Sequence, residues 1–541
     1  MATSRPSSPE PSSSSLVAVD EDGVPTEIIG EAFSPIRCVN QRRCKRMGPP
    51  IGGEDCPCSD IQRIFQSFFC EHFSSDLCSI AHQRADNSCK ACEVRISCLR
   101  IQAGRMSEFL NKLHKYAPRL VLEHLVEHPA PPERPVAESI VGAALFADMA
   151  GFTSLTERIM KLSSNGLIEL ADIVNLYLSR QIDIIDEFGG DILKFAGDAL
   201  IAVWPATSEK ELAQMTLRAA HCGLELQRQL DRTKIGSGME LSLRIGVGAG
   251  PLLAQMVGGL YDRWEFLIGG DAVDQVGRAQ KQAEPGQVVI SPQAARMIRS
   301  MKAGHREGNR LLVEHRPEAE APGPLAIPAL QPGCEKALRC FIPRRIINLI
   351  EEGRGGSAAF EVRTVTVLFI RILEWHTAEL PIEEVHRVMR KVQDGLYRHE
   401  GAINRFGIEE KGTVILAAFG LPPLDHPDDA VRALLSARDI FTELGEMGHK
   451  AVIGIGTGVV FVGPMGNEIR SEYTMHGNVV NLAARLMQAS DSIYCDQTTY
   501  EKVLTLAEGD PGAAHGLRFE ALEPMKVKGN DQPVSAFRLR V

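Results

Sequence analysis

The 541-residue chain is 44% hydrophobic and 24% charged, a balance that supports roughly two to four globular domains. Its formal net charge of −10 excludes a global basic field for nucleic acid, so an anionic substrate must be held by local cations or metal ions. There is no uninterrupted apolar run of about 18 residues. The amino-terminal MATSRPSSPEPSSSS also lacks the basic start and apolar core of a signal peptide, so a cytoplasmic protein without a membrane span is expected.

Residues 1–104 are rich in Ser, Pro, Arg and Cys with weak periodicity, and read as a disordered extension. Only Cys222, Cys334, Cys340 and Cys495 of the 13 cysteines lie beyond residue 100. The pairs CPC (56–58) and CKAC (89–92) have thiolates close enough to share a tetrahedral zinc ion, but their irregular spacing favours reduced thiols in a loose segment. Residues 105–138 hold a helical stretch, SEFLNKLHKYAPRLVLEHLVEH, and then PAPPERP, a hinge that no helix or central strand could contain.

From residue 139 the pattern alternates between strand and helix. SIVGAALFADM reads as a buried strand, and LTERIMKLSSNGLIELADIVNLYLSRQIDIIDEF has apolar residues at helical spacing. GGDILKFAGDALIAVW reads as a hairpin and LSLRIGVGAG as another buried strand. The order then returns: TVTVLFIRI, IEEVHRVMRKVQDGLYRH, GAINRFGIEEKGTVILAAFG and AVIGIGTGVVFVGPMG repeat strand, helix, hairpin and strand, and EYTMHGNVVNLAARLMQ answers EFLIGGDAVDQVGRAQK. One α+β domain is thus written twice, at 139–299 and 358–541, joined by a Pro- and Gly-rich linker at 300–357. Two such copies are expected to pair as an intramolecular pseudo-two-fold dimer with two equivalent grooves, and a monomer suffices.

The copies differ in a complementary way. Asp148 ends a strand shortly before Gly151 and Asp198 sits in the hairpin FAGDAL beside Gly197, as hard oxygen ligands for Mg²⁺ would. Their counterparts in the second copy are Arg371 and Thr413, neither of which replaces a carboxylate. Each aspartate alone also fits a turn cap; joint presence in one copy and joint absence in the other favours metal. The turn Met149–Ala150–Gly151–Phe152–Thr153 offers successive N–H groups at a helix start, a phosphate cradle. The second copy carries Asn481 and Arg485 four apart on one helix face, where the first has Asp274 and Arg278, and Thr474 where the first has Leu267.

FADMAGFTSLTE, LKFAGDALIAVW and EYTMHGNVVNLAARL resemble the class III nucleotidyl cyclases, and the fused asymmetric pair is most similar to the catalytic core of the soluble, bicarbonate-responsive adenylyl cyclases. The resemblance runs from about residue 110 to the end. It implies two cyclase homology domains, each with a ferredoxin-like βαββαβ core, and conversion of ATP to 3′,5′-cyclic AMP and pyrophosphate with two Mg²⁺ or Mn²⁺ ions on Asp148 and Asp198. It further implies that Asn481 orients the ribose, Arg485 meets the reacting phosphorus and residues 149–153 hold phosphates. Thr474 and Arg405 then select adenine, Arg405 standing where the family has lysine.

The degenerate groove matches the region where soluble cyclases bind bicarbonate, with Lys194, Ile268 and Arg278 as its candidate anion site. Lys194 fits the family's lysine, whereas the slot of the family's arginine is Gly277, with Arg278 one residue on. Two rivals stand beside the adenylyl cyclase: a guanylyl cyclase, disfavoured by Thr474 and Arg405, and a catalytically dead nucleotide- or anion-sensing pseudo-dimer.

Overall fold

A computed structural model describes residues 108–152, 155–156, 159, 166–195, 197–235, 239–300, 304–307, 310–313, 322–354, 360–409, 412–509, 512, 515–526 and 533–541. The cysteine-rich segment with its candidate zinc pairs, and Thr153, lie outside the described residues.

The expected helical stretch before the hinge is divided. Pro118, with no N–H to donate, caps α1 (Arg119–Glu127) instead of continuing the preceding turn. The first copy then follows as β1 (Val136–Ala150), α2 (Gly166–Glu187), β2 (Asp191–Phe195), β3 (Ala199–Ala206), α3 (Glu209–Leu230), β4 (Thr233–Ile235), β5 (Met239–Leu260), β6 (Arg263–Gly269), α4 (Asp271–Gln282), β7 (Gln287–Ile290) and α5 (Pro292–Ser300). The linker is more ordered than its Pro and Gly content suggests. It carries a hairpin, β8 (Gly304–Glu307) and β9 (Arg310–Val313), and two short helices, α6 (Glu335–Arg339) and α7 (Arg344–Glu351). The apolar run ALRCFIPRRIINLI explains the helices, because Leu338, Ile346 and Leu349 are buried.

The second copy repeats the order with β10 (Glu361–Leu373), α8 (Ile382–Tyr397), β11 (Ala402–Glu409), β12 (Gly412–Phe419), α9 (Asp429–Glu446), β13 (Ala451–Gly466), β14 (Ser471–His476), α10 (Asn478–Ala489), β15 (Ile493–Asp496), α11 (Gln497–Gly509), β16 (Arg518–Ala521) and β17 (Ala536–Arg540). In the first sheet β1 lies between antiparallel β3 and β5; in the second β10 lies between β12 and β13.

The register makes the repeat residue-specific. Asp148 faces Ala199 and Arg244 across its two neighbours, and Arg371 faces Val414 and Val452. The hairpin strands both bulge, between Ile192 and Lys194 in one and between Ile403 and Arg405 in the other. Lys194 and Arg405 are therefore counterparts. A shared bulge re-aims the side chain that follows it.

The copies are bound reciprocally. At the end of β13, the Gly466 N–H donates to Asn175 Oδ1 of α2 at 2.7 Å; near the end of β5, the Gly258 N–H donates to His386 Nδ1 of α8 at 3.3 Å. The cores also trade residues. Met465 of the second copy packs in the first core with Leu178, Ile182 and Leu243, while Val257 and Leu267 of the first pack in the second with Val388, Val392 and Phe406. Each such side chain contributes roughly 1.5–3 kcal/mol by its burial, which neither copy alone would obtain. The expected pseudo-two-fold pair within one chain is what the structure has.

Candidate active site

Two carboxylates meet at one end of the first sheet. Asp148 closes β1, and the following turn is made possible by Gly151 at φ +93°, a conformation that L side chains rarely adopt. Asp198 lies in the β2–β3 hairpin after Gly197 (φ +74°), and its carbonyl accepts the Met149 N–H at 3.3 Å. Asp148 Oδ2 accepts from Gln280 Nε2 of α4 at 2.8 Å and from Arg244 Nη2 of β5. Burial and then the negative charge of Asp148 push the Asp198 carboxyl up to about 7, against the opposing pull of Arg405 and Arg244. A buried carboxylate repelled by a neighbouring one is a setting that a divalent cation would relieve. Among the described residues there is no cluster of three or more His, Cys, Asp or Glu that could hold a metal. The two carboxylates would leave coordination positions for backbone and phosphate oxygens, as Mg²⁺ uses them.

The second copy reaches into this site. Arg405 Nη1 lies 3.6 Å from where a Cβ would stand on Gly197, which ties the candidate base-contacting residue to the carboxylate hairpin. Asn404 Nδ2 donates to the Tyr473 carbonyl at 3.0 Å, fastening β11 beside Thr474. On β14, Glu472, Thr474 and His476 share one face by strand alternation. Glu472 Oε2 accepts the Phe195 N–H at 2.8 Å, and the His476 ring meets the Phe152 ring edge-on at 5.9 Å. That face therefore looks into the first copy.

Asn481 and Arg485 lie on α10, which starts two residues after His476, and both are half-buried. Their counterparts Asp274 and Arg278 on α4 are exposed. The same helical positions are covered in one copy and open to solvent in the other.

The degenerate groove survives as a cavity of about 30 Å³, lined by Lys194, Ile201, Leu267, Ile268, Phe406 and Gly407 among others. Burial pulls the Lys194 ammonium down, opposed by Glu472 and Glu265. Lys194 and Ile268 are thus brought together. Arg278 does not line the cavity; its Nη2 points to Asp271 Oδ1, 4.0 Å away.

Arg244, Gln280, Glu472 and Arg470 were not singled out in the sequence. Pairing LSLRIGV antiparallel with LFADM would have set Arg244 opposite Asp148, because that register follows once the two strands are known to be neighbours. Gln280 had no such signal, since it arrives from a helix packed across the sheet. Arg470 is wholly buried. Its Nε donates to the Ile192 carbonyl at 2.9 Å, Nη2 to Leu193 O at 3.1 Å and Nη1 to Lys115 O at 3.2 Å, so it bolts the foot of β14 to the first copy.

The sequence profile described as "Adenylate and Guanylate cyclase catalytic domain" matches residues 139–323 and 359–540, well over half of the chain. The chain belongs to this family. Among curated members, the rat protein "Adenylate cyclase type 10" is 30% identical over 406 residues, covering 68% of this chain and 25% of the relative. The human protein of the same name is 30% identical over 405 residues, with the same coverage. The chain thus spans about a quarter of the length of the cyclases it matches. A solved structure of a class III adenylyl cyclase-like ATP-binding protein from Pseudomonas aeruginosa is 14% identical and covers 73% of this chain and 94% of its own, with a TM-score of 0.47. Within the cyclase pair and the other described residues, no helix is long and apolar enough to cross a membrane.

Proposed function

We propose that the chain is an adenylyl cyclase with one working site, which converts ATP to 3′,5′-cyclic AMP and pyrophosphate. The observation that carries this reading is the meeting of Asp148 and Asp198 from one copy with Arg405 from the other. It supports an acidic half-site and a base-contacting half-site that share one cleft. Asp148 and Asp198 would hold Mg²⁺ or Mn²⁺, which would relieve the repulsion between the two carboxylates. Such ions polarise the ribose 3′-hydroxyl and neutralise triphosphate charge.

The chain's own residues do the rest. Arg244, paired with Asp148, would meet triphosphate oxygens there, and the N–H groups of the turn after Asp148 would receive phosphate oxygens. Asn481 orients the ribose, and Arg485 meets charge as it develops on the α-phosphate. The 3′-hydroxyl gives up its proton to water and its oxygen bonds to the α-phosphorus while the bond to pyrophosphate breaks, with the two oxygens in line. Thr474 accepts from the adenine amino group and Arg405 donates to the ring.

At the degenerate site we propose bicarbonate, supported by a small cavity with the Lys194 ammonium and Ile268 in its wall. Arg278 is left out of that proposal, because its side chain turns to Asp271.

Purified protein with Mg²⁺ or Mn²⁺ and either ATP or GTP, followed for cyclic product, tests the reading. Cyclic AMP is expected; cyclic GMP alone would make it a guanylyl cyclase, and no product a nucleotide-binding pseudo-enzyme. Bicarbonate added at fixed pH should raise the rate, and no response would remove the regulatory site.

A further inference from the structure

One polar side chain in the cleft has no role in the account above. His476, at the end of β14, is 4% exposed, and its Nε2 is buried without a hydrogen-bond partner. Leaving a buried nitrogen unpaired costs on the order of 1–3 kcal/mol, so such an atom points to a ligand or an ordered water.

Its surroundings narrow the choice. Opposite Glu472, Thr474 and His476 on the paired strand stand Met465, Gly463 and Phe461. Met465 packs into the first core, and Phe461 packs against Ala171 of α2. The whole face is therefore turned to the first copy. Along it, His476 follows Thr474 by one same-face step, roughly 7 Å, in the direction of Phe152. Phe152 belongs to the turn that receives phosphates. In a nucleotide the sugar joins base to phosphate. With the base at Thr474 and the phosphates at the turn, the sugar passes His476.

We propose that His476 Nε2 accepts a hydrogen bond from the 2′-hydroxyl of the bound nucleotide. This inference rests on the cyclase reading. The 2′-hydroxyl is the one available for a lasting contact, because the 3′-oxygen is consumed in the reaction. Burial, and secondarily the charge of Arg405, hold the imidazole down to about 4, so the ring is neutral at working pH and has an unprotonated nitrogen. The other role for such a ring is packing alone, edge-on against Phe152.

Calorimetric titration with two non-cyclising nucleotides separates these roles: 3′-deoxy-ATP, which keeps the 2′-hydroxyl, and 2′,3′-dideoxy-ATP, which lacks it. The wild type should bind the first about fivefold more tightly, the worth of one neutral hydrogen bond. His476→Leu should bring the ratio to about one by weakening 3′-deoxy-ATP only, and His476→Gln should retain most of it. His476→Met serves as a second apolar variant should the leucine variant fail to fold. An unchanged ratio in a folded apolar variant would overturn the inference and leave the cyclase reading intact. Binding of neither nucleotide to a wild type that makes no cyclic product would overturn both.

Discussion

Asp148 and Arg371 occupy the same station on matching strands, each held between two antiparallel neighbours, yet one carries a negative charge and the other a positive one. Asp148 is joined to Asp198 by mutual repulsion and to Arg244 by an ion pair. Arg371 has the uncharged Thr413 nearby, at the position that Asp198 holds in the first copy. Replacing Asp148 by Asn keeps the shape and removes the charge, so cyclase turnover should fall about a hundredfold or more. Arg371→Met keeps the bulk of a buried side chain and should leave kcat within about threefold. Steady-state rates of the two purified variants decide it; comparable losses in both would contradict a one-sided site.

What could be read from the sequence, and what could not, follows from the range of the interactions. The repeat was legible because LFADM and LFIRI, or GDALIAVW and GTVILAAF, are local patterns with the same period. Asp148 and Asp198 stood out for the same reason, each being the odd residue in a repeated frame, whereas Lys194 and Arg405 came from the family resemblance. Arg470 and Gln280 did not, since a buried arginine bonded to carbonyls of another segment has no local signature. Arg278 shows the limit of spacing arguments. It is one residue from the slot of the family's arginine, and on a helix one residue turns the side chain by about 100°. The linker helices were hidden by the surrounding Pro and Gly.

Arg470 should be among the most costly residues to replace. Its guanidinium serves carbonyls of Ile192, Leu193 and Lys115, and the Asp191 carboxylate lies close enough to stabilise its charge. Asp191 in turn accepts the Arg119 and Leu120 N–H groups at the start of α1, both at 2.9 Å. Arg470→Met leaves these carbonyls unpaired in a dry interface, for a loss of roughly 3 kcal/mol or more. Urea unfolding of the full chain should show it; a loss below about 1 kcal/mol would mean that water replaces the guanidinium.

His476 predicts an acid-sensitive fold. Its folded pKa of about 4 lies below the ordinary 6.5, so between those values the unfolded chain binds the proton more strongly. Stability therefore rises with pH across that window and is lost as pH falls from 6.5 toward 4. Between pH 7.5 and pH 5 this one ring should cost about 2 kcal/mol. His476→Gln has no proton to bind, and its unfolding free energy should drop by that much less over the same range. Parallel pH dependence in the two proteins would show that the imidazole titrates in contact with water.

Gly277 is the mildest case and the easiest to check. It lies inside α4, five residues from the end of the helix, and beyond its chain neighbours and its own helix backbone no heavy atom of the described residues comes within 4 Å of where its Cβ would be. No neighbouring element among the described residues requires a glycine there, and it retains the entropic penalty of glycine in a helix. Gly277→Ala should stabilise the protein by about 0.5–1 kcal/mol. Because the added methyl group touches nothing, the gain should appear in urea unfolding with no change in turnover. A loss of stability instead would mean that the space over Gly277 is filled in solution, by a segment of the chain or by a ligand of the degenerate groove.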